Sequence, residues 1–306
     1  MTKYPTRKKQ GRQRGALLVL GLALWGSMHI ASAQPAPLRD DQGQLVDIGK
    51  VPQRIVSVLP SLTETVCALD ACDKLVGVDR YSNWPQPQMA KLAVVGGGID
   101  PSVEAIVALQ PDVVLMGHAP RVTQRLQALG IRTVVLEPRT QADVQRVLQV
   151  LGQLLGKPQA AEREWQRIEQ GVQQAVHSLP DYVRGKKVYF EVNRGPFAAG
   201  PKSFIGELLE RLGVQNIVPA HLGAFPQLNP EFVLRGQPDV LLLGSHSMLA
   251  GSMPPAWNKL TAIAHQRVCR FTDKQADIIV RPGPRMDEAA RLMAACLAEK
   301  APRHAD

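Results

Sequence analysis

A fourteen-residue unit occurs twice in the chain and constrains the fold more than any other feature. The first copy, EAIVALQPDVVLMG, begins at Glu104, and the second copy, EFVLRGQPDVLLLG, begins at Glu231, an offset of 127 residues. In each copy a helix-like apolar segment leads through Gln-Pro-Asp-Val into a short run of apolar residues typical of a buried strand. We therefore predict that the chain builds the same helix–turn–strand unit in two places.

Strands and helices alternate along most of the chain. The run RIVSVLP predicts a buried strand, and SLTETVCAL predicts a helix whose Ser61 and Glu64 have the spacing of a capping box. The alternation continues to residue 156 and resumes after residue 180, where RVCRF and DIIV predict the last two strands. This pattern is typical of an α/β fold with mainly parallel sheets flanked by helices.

Residues 158–179 interrupt the alternation. Apolar residues recur there at three- and four-residue steps with no strand between them, which predicts one helix about 33 Å long at 1.5 Å per residue. Pro158 suits the first helical turn, and Pro180 ends the helix. We predict an N-terminal α/β lobe over residues 34–156, a rigid connecting helix over 157–180 and a C-terminal α/β lobe over 181–306.

The first 33 residues have the composition of a cleavable signal peptide. Six cations and no acid precede the apolar run ALLVLGLALWGSMHI, and the Ala-Ser-Ala that ends at residue 33 suits a cleavage site. The run is shorter than the roughly 20 residues of a membrane-spanning helix; an uncleaved anchor is the alternative. No cysteine follows the run, which disfavours a lipid anchor. We expect export to the periplasm.

Charge and length exclude some classes of function. The formal net charge of +9 includes the six cations of the leader, so residues 34–306 carry +3, with no Lys/Arg run. A face that binds nucleic acid needs clustered cations, so we expect no nucleic-acid partner. About 270 residues remain after the leader, which is enough for two domains of ordinary size.

Four cysteines, Cys67, Cys72, Cys269 and Cys296, lie beyond the leader. Export permits disulfides, and four cysteines allow three pairings. We favour Cys67–Cys72 and Cys269–Cys296, because each pair lies within one half of the chain. Zinc binding is the competing explanation, but the chain lacks C-x2-C and nearby His spacing. A redox pair would need two intervening residues, whereas Cys67 and Cys72 are separated by four.

The glutamate that opens each repeated unit, Glu104 or Glu231, lies two residues after a candidate helix N-cap, Ser102 or Asn229. An acid in the first helical turn complements the helix dipole, and this is the simpler explanation of either residue alone. The repetition favours a second role, because two acids placed equivalently on two lobes form a docking surface for a partner with matching cations.

Four motifs, in order along the chain, carry a resemblance to a known family. They are RIVSVLPSLTETVCALDACDKLVGVDRYSNWP, GGGIDPSVEAIVALQPDVVLMG, AAGPKSFIGELLERLGVQNIV and RPGPRMDEAARLMA. Together they resemble the periplasmic substrate-binding proteins of ABC importers for cobalamin, haem and ferric siderophores, most of all the cobalamin-binding branch. The resemblance covers nearly all of the chain after the leader.

The resemblance implies two lobes joined by a rigid helix, with a ligand held between them and delivered to an inner-membrane permease dimer with its ATPase subunits. In this family one glutamate of each lobe pairs with arginines of the permease, and Glu104 and Glu231 match those positions. We expect a monomer, without a cofactor or metal site of its own, whose ligand is cobalamin or a related corrinoid. A ferric siderophore or haem is the alternative ligand.

Ligands of two-lobed α/β proteins bind at the carboxyl ends of the strands, in the crevice between the lobes. The loops expected there are 60–63, 79–84, 96–98 and 117–120 in the first lobe, and 193–197, 225, 245–248 and 281 in the second. From these loops we predict nine ligand contacts: Tyr81, Trp84, Gly98, His118, Arg194, Phe197, Phe225, His246 and Arg281.

Aromatic rings offer large rigid area to a planar macrocycle, which favours Tyr81 and Trp84 as contacts, with packing between the lobes as the alternative. In the related cobalamin-binding proteins a tyrosine that faces the corrin matches Tyr81. Those proteins also carry a tryptophan six residues before the docking glutamate, where this chain has Gly98. The difference predicts a pocket wall of another shape. Phe197 is expected to cover the ligand.

Histidines and arginines supply the polar part of the predicted site. His118 and His246 each follow a strand-ending region and are candidate axial ligands of a bound metal; surface histidines without a metal are the alternative. Arg194 and Arg281 are candidates to pair with carboxylates or phosphate of the ligand. The alternative for both arginines is a solvated or lobe-bridging role.

An exported enzyme is the competing class of function. The sequence has no G-x-S-x-G and no H-E-x-x-H, and AGPKSF lacks the spacing of a phosphate-binding loop. A metal-ion binder that uses the histidines and nearby acids is a third class, which would need three or four ligands to converge. We predict a binding protein rather than an enzyme.

Overall fold

The computed structural model describes residues 1–4, 38–46, 49–193, 197–244 and 253–303. The described residues from 38 onward belong to one compact unit. Most of the predicted signal peptide, Arg194 and His246 lie outside the described residues. In the described part of the chain, no helix has both the length and the apolar character needed to cross a membrane.

The first half of the chain forms an all-parallel sheet. Its strands are β1 (Ile55–Ser57), β2 (Leu75–Val78), β3 (Ala93–Val94), β4 (Val113–Met116) and β5 (Thr133–Val135). Hydrogen bonding orders them β3-β2-β1-β4-β5, with every pair parallel. The helices between and after the strands are α1 (Pro60–Ala68), α2 (Gln86–Met89), α3 (Val103–Ala108), α4 (Pro120–Ala128) and α5 (Gln141–Leu154).

The second half of the chain forms a mixed sheet. Its strands are β6 (Lys187–Asn193), β7 (Phe197–Ala198), β8 (Gln215–Asn216), β9 (Val240–Leu243) and β10 (Val268–Arg270). The order is β10-β9-β6-β7, with β8 also pairing with β6; β6–β7 is antiparallel and the other pairs are parallel. The mainly parallel architecture predicted for both lobes is confirmed.

The helices of the second half complete the fold. They are α7 (Phe204–Arg211), α8 (Pro230–Gly236), α9 (Thr261–Ala264), α10 (Asp273–Val280) and α11 (Met286–Lys300), where α6 is the connecting helix described below. Short 3-10 turns occur at Cys72–Lys74, Asp181–Val183, Ala220–Leu222 and Pro255–Lys259. The predicted strand DIIV is wrong: these residues end α10, because Thr272 and Gln275 form a capping box that starts a helix.

One long helix, α6 (Pro158–His177), lies between the two sheets in the sequence, as predicted. Pro158 occupies its first turn, and small and apolar residues on one face are buried. The helix packs against α5 on one side and α11 on the other. At Gly171 the approach to α11 is close, because an added Cβ would lie 2.6 Å from the Cβ of Asp287. The exact limits of the two lobes remain a prediction.

The two sheets share one hydrophobic core. Strand residues such as Ile55 and Leu115 of the first sheet and Phe190 and Leu242 of the second belong to the same buried cluster, together with residues of α5, α6, α7 and α11. Each sheet buries its opposite face in a separate, smaller cluster. Because the central cluster is continuous, displacing one lobe from the other would disturb packed side chains of both.

The repeated unit adopts the same backbone in both copies. Gln110 and Gln237 have positive φ angles of 46° and 41°, and each ends its helix before the proline. A carboxylate oxygen of Asp112 accepts a 2.7 Å hydrogen bond from the backbone just before β1, and Asp239 accepts one of 2.7 Å from the start of β6. The aspartate of each copy therefore ties its own strand to the neighbouring strand.

Both predicted disulfides are confirmed, since Cys67 is bonded to Cys72 and Cys269 to Cys296. The capping box predicted at the start of α1 is wrong. The helix begins at Pro60 with no side-chain cap, and both Ser61 and Glu64 are buried. Proline at the first helical position supplies no N–H to cap, and Glu64 has other partners, which are described below.

Stability should fall as pH rises through the range in which Glu191 titrates. The side chain is buried in β6, and burial raises the pKa of its carboxyl to about 7, above the ordinary 4.5. The folded protein therefore holds a proton that the unfolded chain releases, so unfolding becomes easier between about pH 4.5 and about pH 7. At 1.36 kcal/mol per pKa unit, the loss is about 3 kcal/mol.

Urea unfolding of the wild type and of Glu191→Gln, at about pH 5 and about pH 8, measures this contribution. The Gln variant should be the more stable protein at the higher pH and close to the wild type at the lower. Equal pH dependence of the two proteins would show that Glu191 titrates normally.

Candidate functional site

A cleft of about 490 Å³ opens between loops of the two sheets. Leu59 and Glu137 follow the carboxyl ends of β1 and β5, where ligands of parallel α/β sheets bind. The second half of the chain contributes the residue that starts α7, part of the loop before α8, and the segment that joins α10 to α11. The described residues that line the cleft are Leu59, Ser61, Glu137, Pro138, Arg139, Phe204, Ala224, Phe225, Val280 and Pro282.

An ion pair lies at this cleft that the sequence analysis missed. Arg139 Nη2 donates to Glu137 Oε1 at 3.3 Å, and the backbone N–H of His118 donates to Glu137 Oε2 at 3.2 Å. Both side chains of the pair are partly exposed, Arg139 by 64% and Glu137 by 38%. The signal that could have found the pair is the position of Glu137 just beyond the carboxyl end of β5, where ligands of parallel sheets bind.

The backbone of Tyr81 is fixed while its ring is exposed by 59%. The buried carboxylate of Asp79 accepts hydrogen bonds from the Tyr81 N–H at 3.0 Å and from the Ser82 hydroxyl. Burial raises the pKa of Asp79, the largest of the effects on that group. Thr63 of α1 also hydrogen-bonds Ser82. The loop that carries Tyr81 is therefore held to α1 before any ligand binds.

Arg281, predicted to contact the ligand, instead bridges the two halves of the chain. Its Nη1 donates to Glu64 Oε1 at 2.9 Å and to Asn83 Oδ1 at 2.8 Å, and its Nη2 donates to the Tyr81 carbonyl at 3.0 Å. It also pairs with Asp277. With only 9% of its side chain exposed, the guanidinium already has protein partners. The lobe-bridging alternative is the one that the structure supports.

Glu64 is the centre of this contact. Only 1% of the residue is exposed, and a second arginine, Arg285, donates to both of its carboxylate oxygens at 2.9 and 2.7 Å. Glu64 belongs to α1, whereas Arg285 directly precedes α11. A buried carboxylate needs such partners, because an unpaired buried charge is strongly destabilising.

Trp84 does not line the cleft. It is half-buried, with the guanidinium carbon of Arg285 4.8 Å from the ring centroid. It lines a different pocket, with Asp277 and Glu288 among its neighbours. The ring therefore packs at the junction of the two halves, which was the alternative role for this residue.

The other predicted contacts are divided between the cleft and its surroundings. Phe225 lines the cleft, whereas Phe197 and His118 are exposed but do not line it. At Gly98 an added Cβ would lie 2.9 Å from the carbonyl oxygen of Val58, so the backbone leaves no room there for a side chain. Contact of these residues with a ligand remains a prediction.

Each glutamate of the repeated unit is exposed in the first turn of its helix. The predicted N-caps are confirmed: the Ser102 hydroxyl accepts from the backbone of α3, and the Asn229 amide oxygen accepts from the N–H of Glu231. Glu104 also forms a 2.6 Å ion pair with Arg125 of α4. The backbone hydrogen bond at Glu104 is the largest cause that lowers the pKa of this carboxyl, and the positive charge of Arg125 is the next.

Among the described residues, no group of three or more His, Cys, Asp or Glu side chains has an arrangement that could hold a metal ion. The lining of the cleft in that part of the chain is mostly apolar, with one serine and one ion pair as its polar groups. Such a lining suits a large ligand held by shape and a few polar contacts.

Known proteins resemble the chain in sequence and in fold. A family model described as "Periplasmic binding protein" matches residues 55–275. An uncharacterised ABC transporter substrate-binding lipoprotein of Bacillus subtilis is 26% identical over 271 residues, 85% of this chain and 84% of that protein. A cobalamin-binding protein of Halobacterium salinarum is 30% identical over 223 residues, 70% of this chain and 60% of that protein.

Among solved structures, the periplasmic haem-binding protein RhuT from Roseiflexus sp. RS-1, in its apo form, superposes with a TM-score of 0.71. The two proteins share 25% sequence identity, and the match covers 82% of this chain and 99% of that one. The two-domain fold of that class of protein is therefore the fold of this chain.

Replacing Glu64 by Gln should destabilise the protein by about 3 kcal/mol, because the buried guanidinium of Arg285 loses its counter-charge and that of Arg281 keeps only Asp277. The matched control is Asp181→Asn, which removes a carboxylate that is 98% exposed and should change stability by less than about 0.5 kcal/mol. Urea unfolding midpoints measure both effects. A Glu64→Gln protein as stable as the control variant would show that this contact does not hold the lobes.

Proposed function

The chain belongs to the periplasmic binding protein family, and from this premise we propose that it captures a corrinoid, cobalamin or a close relative, for an ABC importer. The observation that carries the proposal is the cleft between the two sheets, lined by loops at the carboxyl ends of β1 and β5 and by loops of the second half. Its walls are largely apolar, which suits the face of a macrocycle.

The aromatic residues around the cleft support a planar or ring-shaped ligand. Phe225 lines the cleft with 39% of its surface exposed, and the Tyr81 ring is exposed on a loop of fixed backbone. An aromatic side chain has few rotatable bonds, so it loses little conformational entropy when a ligand stacks on it, least of all on a backbone that is already held, as that of Tyr81 is. In this proposal Tyr81, Phe225 and Phe197 contact the ligand, and His118 lies close to its edge.

The names of similar proteins favour two ligand classes. The similar protein of Halobacterium salinarum is called cobalamin-binding, and the structure from Roseiflexus is called haem-binding. Haem, or another iron chelate, is therefore the second candidate ligand. Binding without turnover is part of the proposal, since the protein would pass its ligand on unchanged.

For delivery, we infer that Glu104 and Glu231 dock the protein on an inner-membrane permease. Both are exposed, both begin the repeated unit, and each is held by an equivalent N-cap. Two anionic groups carried on one compact unit would orient the protein toward two cations of a dimeric partner. In this role the protein acts as an exported monomer. The signal peptide predicted at residues 1–33 is consistent with export.

Equilibrium titration with cobalamin, cobinamide, haemin and a ferric siderophore tests the ligand. We expect one corrinoid per chain, and Tyr81→Ala should weaken its binding by more than about tenfold if the ring stacks on it. Leu129→Ala, which truncates a similarly exposed apolar side chain at the C-cap of α4, is the matched control and should leave affinity unchanged. Binding of haemin without binding of a corrinoid would favour the second candidate.

Charge reversal tests the docking role. The double variant Glu104→Arg with Glu231→Arg should retain ligand affinity but lose stimulation of the permease–ATPase complex in vesicles, because like charges then face each other. Glu162→Arg reverses an exposed acid on α6 and should stimulate transport like the wild type. Transport by the double variant at the wild-type rate would exclude these two residues as docking points.

A further inference from the structure

Two polar groups of the cleft, beside Ser61, form a pair of opposite charges. Glu137 and Arg139 are the charged residues among the described lining of the cleft, and Oε1 of the acid accepts from Nη2 of the arginine. The other carboxylate oxygen accepts from the backbone N–H of His118. Each oxygen of Glu137 therefore has a donor, and its negative charge stays at the cleft.

The backbone on both sides of the pair is held as well. The N–H of Glu137 donates to Asp41 at 2.6 Å, and the N–H of Arg139 donates to Asp143 at 3.1 Å. The carbonyl of Arg139 accepts from the N–H of Phe204 at 2.8 Å. With a proline between the two charged residues, the backbone of this loop has little freedom to move one residue away from the other.

A neutral amide and a carboxylate meet this pair differently. A primary amide has both donor hydrogens and an acceptor oxygen, so it can donate to the Glu137 carboxylate while it accepts from Arg139. A carboxylate that accepts from Arg139 Nη2 comes close to the Glu137 carboxylate, which repels it. Selectivity commonly arises from such a repulsive element as well as from attraction.

We propose that the Glu137–Arg139 pair selects a ligand whose rim carries amides, as a corrinoid does, over one whose rim carries carboxylates, as haem does. This inference rests on the proposed capture of a macrocycle in the cleft and names the chemistry that the cleft prefers. Arg139 supplies the hydrogen bonds, and Glu137 supplies the discrimination.

Three ligands distinguish the effect of ligand charge on affinity from the effect of ligand shape. They are dicyanocobinamide, whose rim carries amides, haemin, whose rim carries propionates, and the dimethyl ester of haemin. The ester has the same ring as haemin without the negative charges. Dissociation constants for each are measured by absorbance titration of the full-length mature protein. For the wild type we expect cobinamide to bind most tightly and the ester to bind more tightly than haemin.

Glu137→Gln keeps an acceptor for the His118 N–H and removes the negative charge. Haemin should then bind roughly tenfold more tightly, whereas cobinamide and the haemin ester should change by less than about threefold. Arg139→Gln leaves Glu137 without its counter-charge, so haemin should bind more weakly than it binds the wild type. Cobinamide should also bind more weakly, because its amides lose the hydrogen bonds that Arg139 donates. Glu162→Gln, on α6, is the matched control, and all three dissociation constants should stay at their wild-type values.

The outcomes distinguish this inference from the function on which it rests. If the wild type binds none of the three ligands, the proposed function fails and the inference fails with it. If the wild type binds a macrocycle but Glu137→Gln leaves the ratio of haemin to cobinamide affinity unchanged, only the inference is overturned. A haemin ester that responds to Glu137→Gln as strongly as haemin does would also overturn it, because the effect could not then arise from charge.

Discussion

The carboxylate of Glu64 determines how the two halves of this protein meet. It is buried in α1, and its partners, Arg281 and Arg285, come from the segment before α11, more than 200 residues later in the chain. A buried charge that loses its partners is costly, so the first helix and the last must remain together. Arg281 extends the constraint to Tyr81, a predicted ligand contact, because it also holds the carbonyl of that residue. The backbone position of this predicted contact thus depends on an ion pair outside the described lining of the cleft.

Two further contacts oppose relative motion of the lobes. The hydrophobic core runs without interruption from the first sheet through α5, α6 and α11 to the second sheet. On another part of the junction, the side chain of Glu207 accepts from the N–H of Gln141, and Arg211 donates to the Gln141 side chain. Burial raises the pKa of Glu207, and its hydrogen bond with Gln141 opposes that rise. A continuous core with polar contacts at its margin favours a cleft that exists before the ligand arrives.

Local sequence patterns predicted the parts of the fold that depend on neighbours in the chain. The period of apolar residues located α6, and the duplicated Gln-Pro-Asp-Val located two equivalent turns, down to the positive φ of Gln110 and Gln237. The failures have different causes. Glu64 has the spacing of a helix cap, yet two arginines far along the chain are its partners. DIIV has the composition of a strand, yet it ends a helix that a local capping box begins. No motif in the sequence singles out Glu137, although it lies just beyond the carboxyl end of β5.

Contacts that oppose closure of the lobes limit how a binding protein can choose its ligand. A protein that closes around its ligand can reject a wrong one by failing to close, but here the shared core and the Glu64 contact oppose such movement. Backbone geometry also sets part of the wall, since the carbonyl of Val58 leaves Gly98 no space for a side chain. Shape alone separates macrocycles of similar size poorly, because small differences in apolar contact change affinity little. In the proposed selection, discrimination comes instead from charged groups at the cleft, which among the described lining residues are Glu137 and Arg139.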